Sequence, residues 1–143
     1  MMHPTARKFM WFIPAVAALG ITLACVVIKR PAVTLNIISV QRAPGSQTVR
    51  CEIRNRGDKP VELTIHSIDR RLFYHRLERS GTSWRRVLWD MECGIDAQTR
   101  ILSTGQTCPF TASLIDTSQP IRVAVNYRLG GADFTASSKT IYP

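Results

Sequence analysis

A two-residue alternation of apolar and polar side chains recurs after Pro31, and it constrains the fold more than any other feature. In "TVRCEIRN" (48–55), valine, cysteine and isoleucine alternate with two arginines and a glutamate. Successive side chains of a β-strand point to opposite faces, so the pattern is typical of a strand with one buried and one solvated face. The same alternation returns in 61–68 and 120–129.

Short strands separated by turn residues are predicted along the whole of 31–143. The interpretation places strands at 32–41, 48–55, 61–68, 101–114 (a Gly-Gln turn followed by a strand), 120–129 and 133–142, with a hairpin around Ser80-Gly81 in 70–89 and a loop at 90–100. The arginine-rich start of that hairpin also admits a helical reading. Seven or so strands at this spacing predict an all-β domain, an immunoglobulin-like antiparallel β-sandwich.

An apolar segment precedes this domain. Residues 9–28 read "FMWFIPAVAALGITLACVVI" without a charge, and basic pairs flank them at 7–8 and 29–30. A helix of this length spans about 30 Å, the thickness of the hydrocarbon core of a bilayer. We therefore predict a short basic tail (1–8) followed by a single transmembrane helix that anchors the domain in the lipid bilayer.

Two other interpretations of the apolar segment remain open. It could be a cleavable signal peptide with its best site after Ala24, which would release a secreted or periplasmic binding domain. It could also be a lipoprotein signal that ends at Cys25. Basic residues are balanced across the segment, so they do not fix its orientation. An apolar segment at the N-terminus usually directs export of the domain after it, and we expect the domain outside the cytoplasm.

The charge of the chain is positive and carried mainly by arginine. The formal net charge is +9, and residues 31–143 contain 15 Lys and Arg against 10 Asp and Glu. Such a surplus favours anionic surfaces, but it is too small for a nucleic-acid-binding domain, and we expect no nucleic-acid partner.

Four cysteines leave an odd number outside the apolar segment. Cys25 lies within it, and Cys51 alternates with apolar neighbours and is expected to face the core. In an oxidising compartment, the remaining Cys93 and Cys108 are then the predicted disulfide. No Cys-x-x-Cys motif occurs, and neither a metal site nor a cofactor is predicted.

An arginine-rich stretch is the main candidate for binding. Residues 69–86 contain two acids and six arginines, interleaved with Phe73, Tyr74 and Trp84; the arginines are Arg70, Arg71, Arg76, Arg79, Arg85 and Arg86. Guanidinium groups bind phosphate or carboxylate in bidentate fashion and stack on aromatic faces. The predicted partners are anionic lipid headgroups or an acidic protein. The alternative is a hairpin whose arginines form an ordinary solvated face.

Other motifs point to structure rather than chemistry. Arg56-Gly57-Asp58 matches an adhesion tripeptide, but Asn55 and Pro60 around it are typical of a turn between strands. No Gly-x-Ser-x-Gly elbow is present, and no nucleophile or pair of carboxylates is fixed near a histidine by spacing. The sequence therefore favours a non-catalytic role.

The segments "VRCEIRNRGDKPVELTI", "GQTCPF" and "IRVAVNYR" resemble small β-sandwich domains of uncharacterised, membrane-anchored bacterial proteins. The resemblance covers about two-thirds of the domain and rests on its turns. It implies the fold and a location at a membrane, and it transfers no catalytic site. The resulting hypothesis is a membrane-tethered interaction or scaffold module.

Overall fold

The computed structural model describes residues 31–87, 96–116 and 118–143, and every helix or strand in these ranges is a β-strand. The nine strands are β1 (Val33–Ala43), β2 (Ser46–Asn55), β3 (Val61–His66), β4 (His75–Ser80), β5 (Ser83–Val87), β6 (Ala97–Leu102), β7 (Thr107–Ile115), β8 (Ile121–Leu129) and β9 (Ala132–Ser137). The described ranges offer no helix able to cross a membrane. The predicted anchor at 9–28 lies outside them.

The strands form two antiparallel sheets. The smaller sheet has the order β1-β2-β7, and the larger has the order β5-β4-β8-β3-β6 with β9 also paired to β8. Both sheets contribute to one hydrophobic core, which includes Val49, Ile53 and Leu114 from the smaller sheet and Leu63, Val123 and Val125 from the larger. Pro31–Pro143 therefore forms one compact β-sandwich, and the all-β prediction is confirmed.

The alternation read from the sequence sets which residues are buried. In β2, Val49, Cys51 and Ile53 are at most 1% exposed, whereas Arg50 and Arg54 between and beyond them are exposed. Buried apolar area contributes roughly 25 cal/mol per Å², so each buried aliphatic side chain stabilises the fold substantially. The expectation that Cys51 faces the core is confirmed.

Glycines at the predicted turns adopt conformations that few other residues reach. Gly130 and Gly131 join β8 to β9 with φ of 59° and 84°. Positive φ at both central residues is the type I′ geometry, which matches the twist of a two-residue hairpin. Gly81, with φ of 61°, begins the turn between β4 and β5. The predicted hairpin around Ser80-Gly81 is confirmed.

Two expectations about local structure are wrong. Strand β6 (Ala97–Leu102) begins inside the region 90–100 that was predicted to be a loop. Strand β6 lies at the edge of the larger sheet, and only its residue Leu102 is buried. Its sequence therefore lacks the alternation of apolar and polar residues by which a strand is recognised. The helical reading of the arginine-rich stretch is also wrong, because 75–80 pairs on both sides as strand β4.

The sandwich has two ends, which we call the entry end and the far end. The first strand begins at Val33, which pairs with Asn55 at the end of β2. Strand β3 begins shortly after Asn55, and its residue Glu62 pairs with Arg128 near the end of β8. This is the entry end. Strand β8 begins at the far end, where Ile121 pairs with Glu78. The turn from β1 to β2 and the end of β7 lie there too.

Candidate binding surface

The β4–β5 hairpin lies at the far end of the larger sheet. Strand β4 pairs with the first part of β8, from His75 opposite Ala124 to Glu78 opposite Ile121. The hairpin continues past the start of β8 to its turn, where Ser80 pairs with Ser83. The predicted arginine-rich hairpin therefore exists, and its two faces can be assigned from the pairing.

Arg76 lies on the face of β4 that points into the sandwich. It is only 5% exposed, and its guanidinium donates hydrogen bonds to the backbone carbonyl oxygens of Ile115 and Asp116 at the end of β7. It also forms an ion pair with Glu78 two residues along the same strand. A buried cation needs such partners, because desolvation without them is costly. Arg76 therefore links the hairpin to the opposite sheet and does not present its charge to solvent.

Tyr74 makes a second link to β7. Its hydroxyl accepts a hydrogen bond from the Ser113 amide (2.9 Å) and lies 3.1 Å from the Ser113 carbonyl oxygen, to which it donates. Among the strands of the described residues, β7 pairs with β2 alone, so these backbone groups belong to its free edge. Unpaired strand edges are sites of unwanted pairing with other chains. Tyr74 and Arg76 together cover part of this edge.

The opposite face of the hairpin carries an arginine and tryptophan cluster. Arg79 pairs with Trp84, and Leu77 pairs with both Arg86 on β5 and Arg122 on β8, so these side chains share the outer face of the sheet. The guanidinium carbon of Arg122 lies 4.2 Å from the centroid of the Trp84 ring. We call Leu77, Arg79, Trp84, Arg86 and Arg122 the Arg–Trp surface.

Backbone and side-chain oxygens orient two of these arginines. Arg122 donates from Nε to Thr140 Oγ1 at 3.2 Å, and Arg79 donates from Nε to the Gly81 carbonyl oxygen at 3.1 Å. Stacking on the indole adds a cation–π interaction to the first of them. Within the described part of the chain, Arg79 and Arg122 form no ion pair with a carboxylate. Arg79 and Arg122 therefore carry positive charge close to the Trp84 ring that pairs with no carboxylate of the described residues.

The six arginines predicted to act together are separated by the fold. Arg79 and Arg86 belong to the Arg–Trp surface, and Arg76 is buried. Arg85 is exposed but lies opposite Glu78 on the other face of the hairpin. Arg70 and Arg71 lie in the connection between β3 and β4, where Arg71 forms an ion pair with Asp69 at 3.0 Å.

Arg122 is the residue that sequence reasoning missed. It lies between the buried residues Ile121 and Val123, so the alternation of β8 alone places it on the outer face. Its neighbours could not be inferred, because Leu77 and Trp84 are far from it in the sequence.

The entry end of the same outer face has a different electrostatic character. Arg128 donates to Asp133 at 3.1 Å, and this hydrogen bond and the nearby charges of Asp133 and Glu62 raise the pKa of Arg128. A shallow cleft of about 260 Å³ lies beside this pair and is lined by Glu62 and Thr99, among other residues. On this outer face, Arg128 is paired with a carboxylate, whereas Arg79 and Arg122 pair with none among the described residues.

The Arg56-Gly57-Asp58 tripeptide is held as a connection between β2 and β3. Asn55 is fully buried, donates from Nδ2 to the carbonyl oxygens of Lys59 (2.8 Å) and Leu102 (2.9 Å), and accepts from the Gly57 amide (2.9 Å). A Cβ at Gly57 would lie 3.2 Å from the Ala32 Cβ, so a glycine suits this position. The turn interpretation of the tripeptide is confirmed.

The cysteines of the described residues are buried. Burial raises the pKa of the Cys51 thiol to about 11 and also raises the pKa of Cys108, which the charge of Arg100 lowers in part. Cys108 faces the core from β7, and Cys93 lies outside the described residues. The Cys93–Cys108 disulfide stays a prediction.

Comparison with known proteins adds little to this description. No family model matches the chain, and no curated protein matches it significantly. Among solved structures, the chain is similar to one described as "X-ray structure of Northeast Structural Genomics Consortium target SoR45", with 17% identity over 76% of this chain and 80% of that chain. The TM-score is 0.40.

Proposed function

We propose that this protein is a membrane-tethered, non-catalytic interaction module whose immunoglobulin-like β-sandwich lies outside the cytoplasm. The apolar segment 9–28 is the tether, and the Arg–Trp surface is the binding face. The observation that carries the proposal is the stacking of Arg122 on Trp84 at 4.2 Å, on an outer sheet face that also carries Arg79, which pairs with no carboxylate of the described residues. Tryptophan and arginine are the residue types that dominate the energetics of protein interfaces.

The strand order supports the immunoglobulin-like part of the proposal. The sheet β1-β2-β7 corresponds to strands A, B and E of such domains, and β9-β8-β3-β6 corresponds to G, F, C and C′. In this correspondence the β4–β5 hairpin has no equivalent and is inserted between C and C′. An inserted element is a common carrier of binding residues, because the framework folds without depending on its outer face.

A topology experiment tests the tether. Cells that produce the full chain would be fractionated, and protease would be added to intact cells and to lysed cells. We expect the chain in the membrane fraction, with residues 31–143 digested only when the protease reaches the extracytoplasmic side. Recovery of the uncleaved full chain in the soluble fraction would contradict the tether.

Intact mass of the mature chain separates the tether from the alternative, a soluble domain released by signal cleavage. A mass that includes residues 1–24 supports the anchor. A mass that corresponds to residues 25–143 supports release by signal cleavage. The same mass with an added lipid supports a lipoprotein.

A further inference from the structure

From the geometry of the far end, we infer that the Arg–Trp surface binds an acidic polypeptide segment, through the guanidinium groups of Arg122, which stacks on the Trp84 ring, and of Arg79, the cross-strand partner of Trp84. This inference rests on the proposed function and names the class of its partner. Carboxylate side chains would accept hydrogen bonds from the two guanidinium groups, and the indole and Leu77 would provide apolar contact area between them.

Charge complementarity is the first argument for an acidic partner. Arg79 and Arg122 form no ion pair with a carboxylate of the described residues. Glu78, the nearest acid in sequence, lies on the other face of β4 and is paired with Arg76. An arginine whose Nε alone donates to a protein oxygen still has its two terminal amino groups available to donate to a planar carboxylate. Among the described residues, Arg79 and Arg122 both fit this description.

The composition of the surface favours a polypeptide over a lipid headgroup. It contains arginine, tryptophan and leucine on a pleated sheet, and no lysine. Lysine and arginine contribute about equally to attraction by an anionic bilayer, whereas arginine and tryptophan are enriched at protein interfaces. The half-buried indole of Trp84 is held in place by Arg122, so binding would cost little side-chain conformational entropy at this position.

The test uses the full chain in nanodiscs of neutral phosphatidylcholine, so that the apolar segment is already embedded. The probes are a fluorescein-labelled peptide of alternating glutamate and glycine, and separate vesicles that contain phosphatidylglycerol. We expect fluorescence anisotropy to report peptide binding that weakens as salt is added. The Arg79→Gln/Arg122→Gln double variant should bind the peptide about tenfold more weakly, since each exposed charge pair is worth a few-fold in affinity.

The matched control is the Arg50→Gln/Arg54→Gln double variant, which removes the same charge from the exposed face of β2 in the smaller sheet. It should bind the peptide within about twofold of the unchanged chain, because only general attraction is lost. Trp84→Leu, which keeps an apolar side chain but removes the ring under Arg122, should weaken binding about threefold. Thermal unfolding of each variant verifies that it folds.

Three results would overturn the inference. Equal weakening by the two double variants would show attraction by net charge alone. Absence of peptide binding by the unchanged chain, or binding to the vesicles in its place, would remove the acidic polypeptide as the partner class. None of these results bears on membrane tethering, which fractionation tests separately.

Discussion

The sandwich core and the β4–β5 hairpin distribute polar and apolar side chains in opposite ways. In β2, the apolar residues point inward and Arg50 and Arg54 point to solvent. In the hairpin, the buried inward residue of β4 is Arg76, whereas Leu77 and Trp84 lie on the outer face. The core is therefore held by apolar burial, and the hairpin is attached by the pairing of β4 with β8 and by hydrogen bonds of Tyr74 and Arg76 to the end of β7. An attachment of this kind leaves its apolar and aromatic side chains available for contact.

Truncation of a core side chain should lower the free energy of unfolding more than a substitution in the β4–β5 hairpin. Leu63→Ala should lower the free energy of unfolding by about 3 kcal/mol, because Leu63 is 1% exposed and its loss leaves a cavity. Leu77→Ala, the same change on the outer face of the hairpin, should cost less than about 1 kcal/mol. Denaturant unfolding followed by circular dichroism measures both. Equal costs would contradict the assignment of Leu77 to the outer face.

Arg76 should be the most sensitive residue of the hairpin. Arg76→Met should cost about 2 to 3 kcal/mol, since it leaves Glu78 and two carbonyl oxygens without their buried partner. Arg85→Met on the neighbouring strand should change stability by less than about 0.5 kcal/mol, because Arg85 is exposed. The same unfolding measurement applies. A small effect of Arg76→Met would show that the hairpin is attached by other contacts.

Alkaline pH should destabilise the core through Cys51. Its thiol has a folded pKa of about 11, above the ordinary value of 9.0, because burial disfavours the thiolate. The unfolded chain therefore loses this proton at lower pH than the folded chain does. The stability that comes from keeping the Cys51 thiol neutral is fully present below pH 9.0. The free energy of unfolding then falls by about 1 kcal/mol for each pH unit up to about 11.

Unfolding at several pH values checks this dependence, with Cys51→Ala as the control. The variant should show a shallower decline of stability between these pH values. If the two profiles were parallel, the decline would have to come from other groups.

Tyr74→Phe should have the smallest effect on stability, about 1 kcal/mol, because one hydroxyl serves both the amide and the carbonyl of Ser113. It should also leave these two backbone groups of the β7 edge without a partner and increase association between copies at high concentration. Sedimentation velocity of the detergent-solubilised chain detects such association. Unchanged sedimentation together with lowered stability would limit the role of Tyr74 to attachment of the hairpin.

Local patterns predicted most of the framework and only part of the Arg–Trp surface. The alternation in β2 and the glycines at 130 and 131 specify a strand face and a hairpin through interactions between near neighbours. Strand β6 was not predicted, because it lies at the edge of the larger sheet and only its residue Leu102 is buried. The arginine-rich hairpin was predicted, but its arginines were treated as one group.

The sequence alone determined that this chain forms short antiparallel strands with one buried face each, since side-chain alternation and turn chemistry act over a few residues. Only the tertiary structure decided that Arg76 is buried and that Arg122 lies over Trp84. These contacts depend on the register of β4 against β8, and register between strands distant in sequence is set by the packing of the whole core.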